Sequence, residues 1–459
     1  MLKAIKNKGK ILKKTILFWV AMLAASAFIP EASALPVFAR QTGMQCSSCH
    51  FQHFPLLNSS GRAFKSSGFT LMGTHRKVEG EDLSIPATLG MAVLTTAGFE
   101  RSNGLKESST PTGQKNTGDG TYYMPGSNGE LSIFLGGRVT ENAGFLMEFG
   151  TVEAAATSSA KLPLFFVVRD KTRAGIVPFT TDAQGPSYGF ETLNTGANAV
   201  HQMTPHTGLN GDHAMANSAQ QYINTSGYAT GVAMVVNNPK GFVNLTRFNQ
   251  QGPQAKDNGL SSDLSSTYLR LVGIIFEVAG WEAGVGVQKW SGSSYSSDTE
   301  IVGTPGGMAV SEASAIDLQL QDEWRGMQVG IYATYARTPA AVGAISSYNQ
   351  VGGVQGTLQR SAFNIAGEIG VIPEKVMLGM AVRRGYSGQD AGINSAAATA
   401  NGSNMSDNAV MLTGSYKLAQ NMVLSLTHTS QSGDWWSAAN TARPTTGNRT
   451  ITLNLFTLF

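Results

Sequence analysis

The chain is poor in charge, has almost no cysteine and, past its first thirty residues, lacks any long apolar run. Asp, Glu, Lys and Arg make up 14% of 459 residues while apolar residues reach 42%, and disordered chains need the opposite balance. No stretch of eighteen apolar residues follows the N-terminal segment, which excludes a helical membrane protein. The 53 glycines show no Gly-X-Y period, and no heptad pattern is sustained, which excludes collagen and helical bundles. A basic surface is also missing. Lys3, Lys6, Lys8, Lys10, Lys13 and Lys14 precede an apolar run from Ile16 to Phe28, then Pro30 and Ala32-Ser33-Ala34, the pattern of a secretory signal peptide over residues 1–34. Removing those six lysines and Glu31 leaves 27 basic against 29 acidic residues, so the net charge falls from +3 to about −2. Nucleic-acid binding loses its electrostatic footing, because no basic stripe remains.

What is present, from Ile85 onward, is a series of short alternating segments whose connectors are tight and long in turn. Val410 to Thr429 reads as two alternating runs joined at Ala419-Gln420-Asn421, a β-hairpin. Further hairpins pivot at Glu141-Asn142-Ala143, Asn237 to Lys240, Val278-Ala279-Gly280, Glu323-Trp324-Arg325 and Ile372-Pro373-Glu374. Polar connectors without apparent secondary structure cover 101–130, 183–226, 249–265, 292–313, 338–360, 387–407 and 431–447. Short turns at one end and long loops at the other are the mark of a bacterial outer-membrane barrel. The last segment alternates through Ile451, Leu453 and Leu455 and ends on Phe459, resembling the terminal signal read by the outer-membrane assembly machinery. Fifteen segments read easily, and the even strand number of such barrels demands a sixteenth. Gly175 to Thr180, after a turn at Asp170 to Ala174, is its weakest strand because Pro178 cannot donate to a ladder. The expectation is an all-β, antiparallel barrel of about 16 strands over residues 85–459, embedded in outer-membrane lipid. A soluble β-sandwich or propeller is the alternative. Trp281, Trp290, Tyr335 and Tyr386 fall near strand ends, as interface aromatics do.

Residues 35–84 do not follow this pattern and hold both cysteines, in Cys46-Ser47-Ser48-Cys49-His50. C-x-x-C-H is the attachment site of c-type haem: two thiols add to the vinyl groups and the adjacent imidazole takes the iron. A disulfide and a zinc site are the other readings. The first lacks a thioredoxin-like βαβ context, and the second lacks a further ligand pair at recognisable spacing among His53, His75, His201, His206, His213 and His428. One covalent haem c is expected, with His50 on the iron. For the opposite axial position, His53 and Met44 stand too near the motif, which leaves Met72 or His75. Such a haem is by default an electron carrier.

The flanks of this motif carry a family resemblance. Ala34-Leu35-Pro36-Val37-Phe38-Ala39-Arg40-Gln41-Thr42-Gly43 precedes it, and Pro55-Leu56-Leu57 and Gly61-Arg62-Ala63-Phe64-Lys65 follow. Over residues 34 to about 73 the sequence closely resembles the fused monohaem cytochrome-porin family of iron-oxidising bacteria. The resemblance implies a small N-terminal cytochrome c domain in or at the mouth of the barrel, with haem on Cys46 and Cys49. Arg40, Arg62 and Lys65 match the family's basic positions, as partners of haem propionates or of carboxylates on the barrel wall. It further implies an outer-membrane oxidoreductase that takes electrons from extracellular Fe(II) and passes them to a periplasmic c-type cytochrome. The alternative is a haem-plugged porin that exchanges electrons with other extracellular small molecules. Asp317, Glu368 and Glu148 are carboxylates that such a lumen would enclose.

Overall fold

Successive side chains on a strand point to opposite faces, and here the apolar set points away from the interior. Met234, Val236, Val243, Leu245, Leu269 and Leu271 are exposed, whereas Asn244, Thr246, Arg270, Gln288 and Asp317 are buried. A sheet that turns its apolar side to lipid satisfies its backbone only by closing on itself. The computed structural model closes in this way. It describes residues 37–73, 77–81, 84–87, 89–104, 120–150, 157–196, 218–253, 263–278, 280–296, 307–351, 354–392, 402–437 and 447–459. The signal-peptide segment and His75 lie outside them.

The barrel strands are β1 (Gly90–Ser102), β2 (Thr121–Pro125, continuing as Leu131–Arg138), β3 (Gly144–Gly150), β4 (Thr157–Lys161, continuing as Leu164–Arg169) and β5 (Thr172–Thr181). There follow β6 (Ala229–Asn238), β7 (Gly241–Asn249), β8 (Ser266–Val278), β9 (Trp281–Ser291), β10 (Ala313–Trp324) and β11 (Met327–Thr338). The circuit ends with β12 (Arg360–Ile372), β13 (Val376–Asp390), β14 (Asn404–Ala419), β15 (Met422–Ser432) and β16 (Arg449–Leu458). Each strand pairs antiparallel with the next, and β16 returns to β1 in a register running from Leu458↔Leu94 to Thr450↔Ser102. Both pieces of β2 pair with β1, and both pieces of β4 pair with β5, so sixteen strands close the wall.

The turns at 139–143, 170–171, 239–240, 325–326, 373–375 and 420–421 define the short-turn end, which also holds Phe459. Arg325 and Gly326 both take positive φ, as a two-residue hairpin with primed geometry requires. Pro178 is accommodated in β5 because β4 is broken opposite it, between Lys161 and Leu164, and its carbonyl accepts from the Leu162 amide at 3.1 Å.

Four details differ from the sequence reading. The first barrel strand starts at Gly90 rather than near Ile85, because Lys77–Glu79 pairs with Ser84–Pro86 in a separate small hairpin. The connector from 101 to 130 contains the first piece of β2, where Tyr122 faces out and Tyr123 in. Other long connectors carry short elements, including a 3-10 turn at Pro186–Tyr188, a helical turn at Ala219–Tyr222, and Ser293–Tyr295 paired with Met308–Val310. Trp290 is not an interface aromatic: it is fully buried, packed on Tyr268 with ring centroids 5.0 Å apart.

The lumen is occupied by the chain itself. From the long-loop end the segment 183–196 turns inward, and Glu191 and Asp317 meet Arg270 at 2.9 Å and closer in a buried cluster. From the short-turn end residues 37–73 enter. The two meet where the Leu57 amide donates to Asn194 Oδ1 (2.7 Å) and Asn194 Nδ2 donates back to the Leu57 carbonyl (3.0 Å).

Candidate haem-binding site

The N-terminal segment builds a small core of its own. Helix α1 (Val37–Thr42) lays Phe38 on Phe69 (centroids 4.8 Å) and Phe64 (4.9 Å). Gln41 is buried and ties this unit together: its amide donates to the carbonyls of Phe69 (2.7 Å) and Leu71 (2.8 Å), and its oxygen accepts from the Arg138 amide at the end of β2 (2.9 Å). Helix α2 (Ser59–Ser66) starts at Asn58, whose side chain caps it by accepting from the Gly61 amide at 3.0 Å, a standard N-cap. The same Asn58 side chain donates to the carbonyls of Ser47 and Ser48, and its backbone amide donates to the Cys49 carbonyl at 3.0 Å. The helix is thereby held against the cysteine motif. Gly61 has a packing reason, since a Cβ there would collide with the Cys49 carbonyl oxygen.

The motif itself is a single 3-10 turn, Cys46–Ser48, closed by the Cys49 and His50 amides donating to the Cys46 carbonyl. Both thiols are free. Burial pushes both upward from the ordinary thiol range; Gln420 and Lys417 work against this at Cys46, whereas Cys46 adds to it at Cys49. His50 Nδ1 lies 3.1 Å from the Leu56 carbonyl. A carbonyl partner makes Nδ1 the protonated nitrogen, which leaves the Nε2 lone pair for a metal, the usual outer-shell arrangement of a ligating histidine. Burial lowers His50 to about 4, so the imidazole is neutral at ordinary pH.

Cys46, His50, His53 and Phe54 line a cleft, partly open to solvent, whose far wall comes from β11 to β16. Met377, Val423, Phe456 and Leu458 make its apolar side, and Lys375, Lys417 and Glu374 stand at the turns. Gln420 stands there beside the Cys46 thiol. The Cys46 thiol, an imidazole whose Nδ1 is already engaged, an apolar wall and a cationic rim suit a c-type haem, whose flat apolar body carries two carboxylates; Cys49, three residues on, does not itself line the cleft. The cleft lies at the short-turn end, because Glu374, Lys375, Gln420 and Asn421 are turn residues.

His53 is differently engaged. Nε2 meets Glu368 on β12 at 2.8 Å and Nδ1 meets the Phe54 carbonyl at 2.7 Å, so neither nitrogen is free for a metal. Gln52 reinforces this joint by donating to the carbonyls of Gln328 (3.1 Å) and Glu368 (2.9 Å).

The three basic residues expected near the site do not line the cleft. Arg40 donates to the Met91 carbonyl on β1. Arg62 pairs with Glu282 on β9 and reaches Gln321 and the Leu57 carbonyl. Lys65 is half-buried beside Phe69, Lys161 and Phe190; desolvation lowers its pKa and Glu191 partly offsets this. Met72 is half-buried and does not line the cleft either; its neighbours Leu71 and Gly73 are tied to α1. Asp317 is held by Arg270 and Thr195, and Glu368 by His53. Met377, Lys375, Lys417 and Phe456 were not singled out from sequence. Only their place could have signalled them: Lys375 in a short turn, and Met377, Lys417 and Phe456 just inside short turns on inward-facing strand positions.

No protein-family model matches the sequence, and no curated protein matches it. Solved structures do. OmpT, an outer-membrane protein of Vibrio cholerae, aligns over 84% of this chain and 100% of its own at 10% identity with a TM-score of 0.43. The outer-membrane channel DcaP of Acinetobacter baumannii covers 84% and 99% at 10% identity, TM-score 0.45. OmpF of Salmonella typhi, in a complex with daunomycin, covers 84% and 100% at 10% identity, TM-score 0.46.

Proposed function

We propose that this protein is an outer-membrane c-type cytochrome, exported by its N-terminal leader, that takes electrons from extracellular Fe(II) and delivers them to a periplasmic c-type cytochrome. The observation that carries the reading is the shared cleft of Cys46 and His50, with His50 Nδ1 anchored on Leu56 and Nε2 left unprotonated. A bound haem c would supply a one-electron couple there. Cys46 and Cys49 would hold it covalently, and His50 would ligate its iron.

The residues around the cleft set the direction of use. Short turns of bacterial barrels face the periplasm, so Glu374, Lys375, Lys417 and Gln420 border the side from which a soluble acceptor approaches. Phe54 and Phe456, stacked with centroids 5.8 Å apart, close the cleft on an apolar side and limit water there. Ferrous iron would be the substrate, arriving from the long-loop side.

The test is a visible spectrum of purified, haem-loaded protein before and after ferrous iron is added under anoxic conditions at neutral pH. Rapid growth of the reduced c-type bands, reversed by an oxidised periplasmic cytochrome, is expected. A haem-loaded protein that iron leaves oxidised, but that reduces soluble acceptors once reduced chemically, would favour exchange with other small molecules.

A further inference from the structure

The geometry points to Met377, on the barrel wall, as the second axial ligand of the haem iron; this rests on the haem reading above. The N-terminal segment would then supply one axial ligand and the β-barrel the other, from distant parts of the chain.

Of the nitrogen and sulfur side chains able to ligate haem iron, the cleft lining holds His53, Lys375, Lys417, Cys46 and Met377 besides His50. Both nitrogens of His53 are hydrogen-bonded. Lys417 stands 3.5 Å from Glu374 at the rim, and Lys375 is exposed there. Cys46 is committed to attachment. Met377 is what remains: a buried thioether on β13, 5% exposed, lining the same cleft as His50. Its cross-strand neighbours are small. Across the ladder in β12 its register partner is Gly370, and a Cβ there would come 3.2 Å from Met377 Sδ, so the glycine leaves the thioether room. On the other side its partner is Ser415, which also lines the cleft. Thioether sulfur is an established haem ligand and raises the reduction potential relative to histidine.

A buried methionine is also a common space-filler, and spectroscopy separates the two roles. Ferric, haem-loaded full-length protein in detergent should show the near-infrared sulfur-to-iron charge-transfer band. Met377→Leu keeps volume and removes the donor: the band should vanish while haem remains covalently attached on a denaturing gel, and the ferrous form should gain carbon monoxide binding. Met377→His should fold around a six-coordinate low-spin haem without the band and at a lower potential, which covers the case in which the leucine variant is unstable. Met72→Leu should keep the band. A band that survives in Met377→Leu, one lost only in Met72→Leu, or a wild-type protein with attached haem and no such band would each overturn the assignment. A wild-type protein that carries no covalent haem after expression with the haem-attachment machinery would instead defeat the haem reading itself.

Discussion

His53 Nε2 sits 2.8 Å from Glu368 Oε2, and this contact joins the segment that carries the C-x-x-C-H motif to strand β12 of the wall. Both side chains are almost fully buried. Burial opposes charge on His53, but the Glu368 charge and hydrogen bond outweigh it and raise its pKa. A folded pKa above the unfolded value gives a contribution that is full below about pH 6.5 and lost as pH rises through the raised value. His50 runs the other way: burial lowers it to about 4, so acid takes stability away between about pH 6.5 and 4. In protein lacking haem, protease protection of residues 37–73 should therefore peak between the two and fall on either side. Glu368→Gln should remove the alkaline fall and leave the acid one. An unchanged alkaline limb in that variant would show that the pair is not its source.

Gly61→Ala should damage the C-x-x-C-H motif from a position outside it. The added methyl would run into the Cys49 carbonyl, and backbone cannot move aside as a flexible side chain does, so a cost of about 1–3 kcal/mol is expected. Haem incorporation per barrel, measured as the ratio of haem to protein absorbance, should fall while the barrel still folds. Wild-type incorporation would mean that α2 is free to shift.

Arg62→Ala removes the partner of Glu282, and that carboxylate keeps about a fifth of its side-chain surface exposed. Breaking a fully buried pair costs about 3–5 kcal/mol; with this exposure roughly 2 kcal/mol is expected. Hydrogen exchange should report it as faster exchange in α2 and at Leu57, with little change in the strands.

Lys375→Ala combined with Lys417→Ala should lower the reduction potential, because cations near the iron disfavour the more positive ferric state. Exposed charges of this kind contribute about 0.2–1 kcal/mol, which for one electron is roughly 10–40 mV. A spectroscopic redox titration of the haem-loaded double variant measures it, and an unmoved or raised potential would remove these lysines from the haem's surroundings.

The barrel was legible because its signal is periodic and repeated. Turn residues such as Pro239-Lys240 and Pro373-Glu374 sit where the short turns form, and alternation at Val410 to Thr429 is a real hairpin. The first piece of β2 was hidden because it is short and runs into turn formers: Thr121–Pro125 ends on a proline followed by Gly126, and reads as loop. The motif Cys46 to His50 stands out in the sequence for a different reason, since C-x-x-C-H is a spacing that covalent haem attachment would require whatever the fold. The far wall of the cleft was not. Met377, Lys417 and Phe456 reach it from three strands, and only the register of β12 to β16 brings them together. Arg62 matched a motif, yet its partner Glu282 lies 220 residues away, a distance no local pattern spans.

The reciprocal hydrogen bonds between Leu57 and Asn194 also join two inward segments that are far apart in the chain. Residues 37–73 precede every strand of the wall and 183–196 fall between β5 and β6, and both end up within a sheet whose seam, β16 on β1, needs the last residues of the chain. The Leu57–Asn194 pair exists only when both segments are seated, so it couples the stretch ahead of the first strand to the one between β5 and β6 across the whole length of the lumen.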